Sequence, residues 1–489
     1  MKCYSTLSTA IVFSLALTIT QIATPSVYAA ESLSTKIHNQ YESLRAMGMG
    51  NAFTTVADTY SSMLYNPASL AKKRRGEVQF TLAGAGVATK TMTFMKDIQD
   101  AEKSATTESQ KATAIGNALE PYYGKALGGR VQALEMFWVR PNWGVALIPV
   151  DLTLDISVNR QLGPSIDLNV KKDTTLAYGY GTQIGDTDFS VGATGRLSHR
   201  DSISQTVSAI ELANDSNVLS AKRFKEGLNF DVDIGFLWTP TLGKTTYTTT
   251  ETRTPQSVKK SKKLTKKAPP PVVALSGDAT AALTQSGDSS AAKLSSTDAT
   301  VAQTASTDTT TAAAVSSDTT TAQKTSGDST TAQTETTVEV TKEKPYQPLA
   351  VSFVARNLIS SGYTKSTLVN KDATETPDSN PRVVDIGVGY EFVQWGDLRL
   401  RTTAEAKNLL HPYATVKKST HVGFEVDYDP SSWFKSQFRL GMNQMYFTGG
   451  LTLLLGVLEI DIATYGEEVG TDNTKIENRV NALKLGMNF

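Results

Sequence analysis

The sequence predicts an all-β chain: a transmembrane antiparallel β-barrel of about 14 strands, with an N-terminal helical hatch and a long disordered insertion. Three observations carry this. A secretory signal opens the chain, yet no apolar run of transmembrane-helix length follows it. Long segments beyond it alternate apolar and polar residues, the pattern of strands with one face in lipid and the other in a lumen. The last alternating run, A-L-K-L-G-M-N-F, ends on Phe489.

Residues 1–30 read as the signal: Lys2 makes a basic start, Ala10–Thr20 an apolar core, and small residues surround Ala29 and Ala30. Cys3, the one cysteine, falls inside it, so the processed chain is expected to hold no disulfide and no thiolate metal site. Lys+Arg and Asp+Glu are equal at 48 each, which gives no basic bias toward nucleic acid.

Residues 31–75 form the predicted hatch. Within S-L-R-A-M-G-M-G-N-A-F-T-T-V-A-D-T-Y-S-S-M-L-Y-N-P-A-S-L-A (Ser43–Ala71), Ala52, Phe53, Val56, Tyr60, Met63 and Leu64 recur at helical spacing. Gly48 and Gly50 permit a sharp entry, and Asn66-Pro67 ends the helix because the residue before proline is pushed out of the helical region. K-K-R-R (Lys72–Arg75) then precedes the first strand.

Residues 76–240 hold predicted strands one to six. The sixth is the clearest: Leu228, Phe230, Val232, Ile234, Phe236 and Trp238 share one face, and Asn229, Asp231, Asp233 and Gly235 share the other. Residues 346–489 supply strands seven to fourteen. Counting 14 strands places both termini on the periplasmic side, with short turns inside and long loops outside, and puts residues 241–345 among the inside connections. That insertion carries six lysines between Lys259 and Lys267, then Ala268-Pro269-Pro270-Pro271, then six decapeptides spanning 276–335. Its poverty in aromatic and branched apolar residues predicts a disordered periplasmic segment. The lysine cluster offers a contact for anionic cell-wall polymer or lipid phosphate.

Inward positions on strands eight to eleven form a predicted ionic lumen: Asp385, Glu391, Arg399, Arg401, Lys407, Glu425, Asp427 and Arg439. A hairpin centred on Gly396 sets Glu391 opposite Arg401 and Asp385 opposite Lys407. The next pairs bring Arg401 near Asp427 and Glu425 near Arg439. This set reads either as a polar permeation wall or as wall stabilisation and plug anchoring. Of the four histidines, His421 lies near Glu425 and Asp427, but no nucleophile–base constellation, metal set or phosphate loop stands out. No enzyme activity, cofactor or metal is expected.

The motif A-F-x-x-x-A-D-x(7)-N-P-A-x-L, with G-M-G ahead of it, resembles the hatch of FadL-type outer-membrane transporters and is similar to PorV-like and TraF-like barrels. The matching residues are Gly48, Gly50, Ala52, Phe53, Ala57, Asp58, Tyr65, Asn66, Pro67, Ala68 and Leu70. The resemblance implies a bacterial outer-membrane location and passive uptake of a small hydrophobic, fatty-acid-like solute, gated by the hatch. Its other branch implies a non-transport scaffold in secretion or plasmid transfer. Partners implied are outer-membrane lipid, a small hydrophobic ligand, and the barrel-assembly machinery, for which Phe489 would be the signal.

Overall fold

The computed structural model describes residues 35–104, 106–159, 164–208, 210–211, 224–253, 336–359, 362–371, 373, 375–392, 394–471 and 474–489. It divides into two units, one running to Thr241 and resuming at Gln347–Phe489, the other Leu242–Tyr346. The expected signal (residues 1–30), Lys259–Lys267 and the repeats 276–335 lie outside the described residues.

The first unit is a closed antiparallel barrel of 14 staves. In order they are β1 (Glu77–Ala88), β2 (Ala126–Ala133, continued as Met136–Arg140), β3 (Trp143–Asn159), β4 (Ser165–Gln183), β5 (Phe189–Ser208), β6 (Lys225–Trp238) and β7 (Leu349–Arg356). Then come β8 (Val383–Glu391), β9 (Leu398–Ala406), β10 (Thr420–Ser431), β11 (Phe434–Asn443), β12 (Tyr446–Leu455), β13 (Leu458–Glu468) and β14 (Glu477–Asn488). Each pairs with its sequence neighbour, β6 pairs with β7 across the insertion, and β14 pairs with β1 to close the wall. Phe489 completes the closing seam: its N–H donates to Val78 O at 2.8 Å, and Val78 N–H donates to Phe489 O at 3.0 Å.

Alternation decides which way each residue points. On β6 Phe230, Ile234, Phe236 and Trp238 are exposed on the outer face, while Asn229, Asp231 and Asp233 are buried inward. Trp138, Tyr178, Tyr180, Phe189 and Trp238 ring the outside near the short turns, an aromatic girdle of the kind that marks a membrane interface. β2 is interrupted at Leu134 (φ 57°) and Glu135, and the bulge turns Glu135 inward, where it meets Lys484 at 2.8 Å. Two helices, Thr91–Ser104 and Glu108–Leu119, fill the first long loop and cover Leu127, Ile156 and Val158 at the loop end of β2 and β3.

Three expectations are corrected. The hatch is not one helix: Leu44–Gly48 and Ser62–Tyr65 are helical, Pro67–Lys72 is a 3-10 turn, and 49–61 is irregular. Its apolar residues recur as they do because the plug is buried on all sides, and wall side chains satisfy its backbone. The N-terminal end does not lie with the C-terminus. Thr35 donates to Val469 O at 2.8 Å and accepts from Lys418 Nζ at 2.6 Å, at the long-loop end. The hatch therefore threads the lumen from the loop end to the turn end before β1 climbs back. Lastly, the flanks of the insertion, in the second unit, are ordered: Lys244–Arg253 and Thr336–Pro345 form an antiparallel ladder. Threonine-rich runs favour strand, a local preference that the composition of the whole stretch hides.

Candidate functional site: the lumen and its hatch

The hatch is seated by glycines in the wall. A Cβ on Gly235 would stand 2.1 Å from Asn66 Oδ1, and one on Gly192 would stand 2.5 Å from Pro67 O. These two positions let the hatch exit lie flat on β5 and β6. Asn66 fastens it: its Oδ1 accepts from Ala68 N at 3.1 Å, and its Nδ2 donates to Thr54 O at 2.9 Å and to Phe236 O of the wall at 3.2 Å. Gly50 (φ 65°) makes the entry turn against Val422 O and Met442 O. Phe53 and Tyr65 pack edge to face at 5.0 Å, with Ala46, Met49 and Val56 around them. Tyr65 OH accepts from Ser43 N at 3.0 Å, which ties the two helical turns together.

Asp58 joins the hatch to the ionic lumen. Its carboxylate accepts from Arg399 at 2.8 Å and Arg401 at 2.9 Å on β9, and lies 3.2 Å from Arg45 of the hatch. Arg45 in turn forks onto Glu425 of β10, at 2.6 and 2.8 Å. Glu425, fully buried, also accepts from Arg401 at 3.2 Å and Arg439 at 3.0 Å. Arg399 reaches Asp427 at 2.5 Å, and Arg401 reaches Glu391 at 2.9 Å. Asp58 of the hatch and Glu391, Arg399, Arg401, Glu425, Asp427 and Arg439 of the wall thus form one network. Packing alternating charges in this way lets each buried charge keep several partners.

Some pairs differ from expectation. Glu391 faces Arg401 and Glu425 faces Arg439 as the hairpins predicted. Arg401, however, stands opposite Glu425, and Arg399 takes Asp427. Asp385 and Lys407 do not pair directly. Asp385 binds Arg356 at 2.8 Å and accepts from Asn408 N at 2.8 Å, while Lys407 donates to Asn51 O at 2.9 Å and lies over the Tyr65 ring. Sequence reasoning missed Arg45, Arg356 and a second set of inward pairs on the opposite wall: Arg130–Asp151, Arg196–Asp233 and Arg200–Asp173. The period-two pattern on β2 to β6 contains the residues of these three pairs, and it would have found them.

A cavity of about 70 Å³ lies between hatch and wall beneath the long loops. Ile37, Tyr41, Leu64 and Ile148 give it an apolar side, and Arg196, Arg356 and Lys407 a cationic one. His411, in the loop after β9, also lines it; burial, then Lys418 and Lys171, push its pKa down to about 4. His421 is structural: its ring nitrogens lie 2.8 Å from Gly50 O and 3.2 Å from Lys418 O. Among the described residues, one carboxylate–histidine group, His199, Asp201 and Glu226, is close enough to hold a metal ion. Glu226 is already engaged by His199, by Ser366 Oγ, and by the N–H groups of Leu368, Val369 and Asn370. It serves as a clamp on the loop after β7.

No family model matches the chain, and no curated protein is significantly similar to it. Among solved structures it is similar to the CymD monoaromatic hydrocarbon channel, at 8% identity and a TM-score of 0.35. It is also similar to the toluene transporter TbuX of Ralstonia pickettii, at 9% and 0.36, and to a Pseudomonas aeruginosa FadL homologue, at 8% and 0.28. Each match covers 91% of this chain and 96% of the other. At such identities and scores these matches carry no argument, and both the fold and the functional reading rest on this chain's own residues.

Proposed function

We propose that the protein is a hatch-gated barrel of the bacterial outer membrane that passes a small, largely hydrophobic solute without an energy source. One observation carries the reading. At its centre the hatch is held to the wall by separable ion pairs, Asp58 to Arg399 and Arg401 and Arg45 to Glu425, so the contact can be broken without unmaking the barrel. The apolar side of the small cavity gives a solute its first foothold beneath the loops, and movement of the hatch opens the rest of the lumen.

The scaffold reading has its own support. A cavity of about 70 Å³ is smaller than the roughly 150 Å³ that accommodates benzene in a protein interior. A permanently shut barrel would instead present its loops, and the lysine-rich Lys259–Lys267 would contact anionic polymer or lipid. The test is uptake of a fluorescent hydrophobic probe by bacteria that lack their own hydrophobic-solute channel and express this barrel. Faster uptake than in the empty host supports transport. Uptake equal to that of the empty host, with the barrel assembled and heat-modifiable, supports the scaffold.

A further inference from the structure

The loop that follows β7 folds over the outside of the wall. Glu226 shares the outward parity of Leu228, Phe230 and Ile234 on β6, yet it is fully buried, because this loop covers it. Thr364 pairs with Leu228 and Lys365 with Gly227, so the loop continues the wall at the loop end of β6. The outward row from Leu228 to Trp238 spans about 25 Å at the usual strand tilt, the height of an outer-membrane apolar band. Leu228 therefore marks the upper edge of that band, and the loop sits at headgroup level beside it.

The clamp fixes which way the loop faces. N–H groups of Leu368, Val369 and Asn370 all point at the Glu226 carboxylate, at 2.7, 3.2 and 2.6 Å. Ser366 Oγ adds a fourth donor at 2.9 Å. With the backbone turned toward the wall, the side chains of Leu368 and Val369 stand 74% and 65% exposed. Two large apolar side chains held outward on a built carboxylate anchor, next to a lipid-facing row, are costly in water and favourable in a leaflet. Lys365 and Lys371 flank them and are also exposed. Lysine stems lie along apolar surface while their ammonium groups reach lipid phosphate.

We propose that the segment Lys365–Lys371 is a lipid-docking finger, with Leu368 and Val369 entering the acyl region of the outer leaflet and Lys365 and Lys371 on the phosphates of its headgroups. The finger rests on the reading of the barrel as membrane-spanning and is independent of what, if anything, passes through the lumen.

The test uses the full chain carrying C3S, so that L368C is its sole thiol, labelled with an environment-sensitive fluorophore. The barrel is reconstituted in phosphatidylglycerol–phosphatidylcholine vesicles. The expected result is a blue-shifted emission quenched by lipid brominated near the headgroup end of its acyl chain and protected from aqueous iodide. K365S/K371S should weaken that quenching in phosphatidylglycerol vesicles and remove its dependence on salt. Emission as in water, quenched by iodide and untouched by brominated lipid, overturns the proposal. So does self-quenching that grows with the protein-to-lipid ratio, which would assign the finger to a second copy of the chain. A control label at F230C, in the apolar row where Phe230 is 52% exposed, separates the two failures. If Phe230 is lipid-quenched and Leu368 is not, the finger is wrong; if neither is, the membrane reading itself is.

Discussion

Replacing Asp58 with asparagine tests whether the ionic contact is a latch. The change is nearly isosteric, so it leaves no cavity and acts on charge alone. Asp58 accepts from two wall arginines at 2.8 and 2.9 Å and lies 3.2 Å from Arg45. Buried charge-assisted bonds contribute about 1.5–3 kcal/mol each. Here two facts reduce the loss. The Asp58 side chain is 25% exposed, and each arginine keeps another carboxylate: Asp427 for Arg399, Glu391 for Arg401, Glu425 for Arg45. The net effect on the seated hatch is about 2 kcal/mol, which lowers the closed-to-open ratio about 30-fold. Planar-bilayer recording of the purified barrel reads this directly, as more frequent openings with an unchanged unfolding temperature of the wall. If D58N left conductance at its original level while lowering that unfolding temperature, Asp58 would be a strut between wall strands, and the gating argument would fail.

Three other outcomes are expected. G235A places a methyl where Asn66 Oδ1 and Pro67 Cδ now lie, at 2.1 and 2.9 Å. Overpacking of this kind costs on the order of 1–3 kcal/mol, and limited proteolysis should find the chain between Asn66 and Arg75 newly cleavable. Deleting Phe489 removes two backbone bonds to Val78, worth about 1 kcal/mol each. The refolded barrel should therefore stay stable while outer-membrane assembly in cells drops; normal assembly would mean that the terminal aromatic is not a signal. His411 should make the loop after β9 acid-sensitive. Its folded pKa, about 4, lies below the unfolded value near 6.5, so its contribution is whole above about 6.5 and is lost as pH falls toward 4. Hydrogen exchange in residues 407–419 should rise over that range in the native chain and stay flatter in H411Q.

How far the lumen could be read in advance depended on the connections between strands. The turn around Gly396 (φ 58°) is tight, and it fixes Glu391 against Arg401. The turn between β10 and β11 is short as well, and Glu425 falls against Arg439 as expected. Between β9 and β10 the chain runs through residues 407–419, and no turn chemistry sets the register there. The partner of Arg401 accordingly lies one pleat from the expected position, Glu425 in place of Asp427. The hatch was legible as a motif but not as a path, because strand parity counts crossings of the wall and is blind to a segment that crosses the lumen. That path is what brings Arg45 to Glu425 and Tyr65 to Lys407, across separations of several hundred residues. Alternation does reveal that β6 turns Asp231 and Asp233 inward, but it does not say what they hold. They bind the loop after β7, through the N–H groups of Ile359 and Asn357, at 3.0 Å each. A wall strand that spends its inward carboxylates on an outer loop, and its outward Glu226 on the same loop, fixes that loop from both faces. The irregular chain between β7 and β8 is thereby part of the wall, and the cavity it borders through Asn357, Asn380 and Pro381 is bounded by a built element.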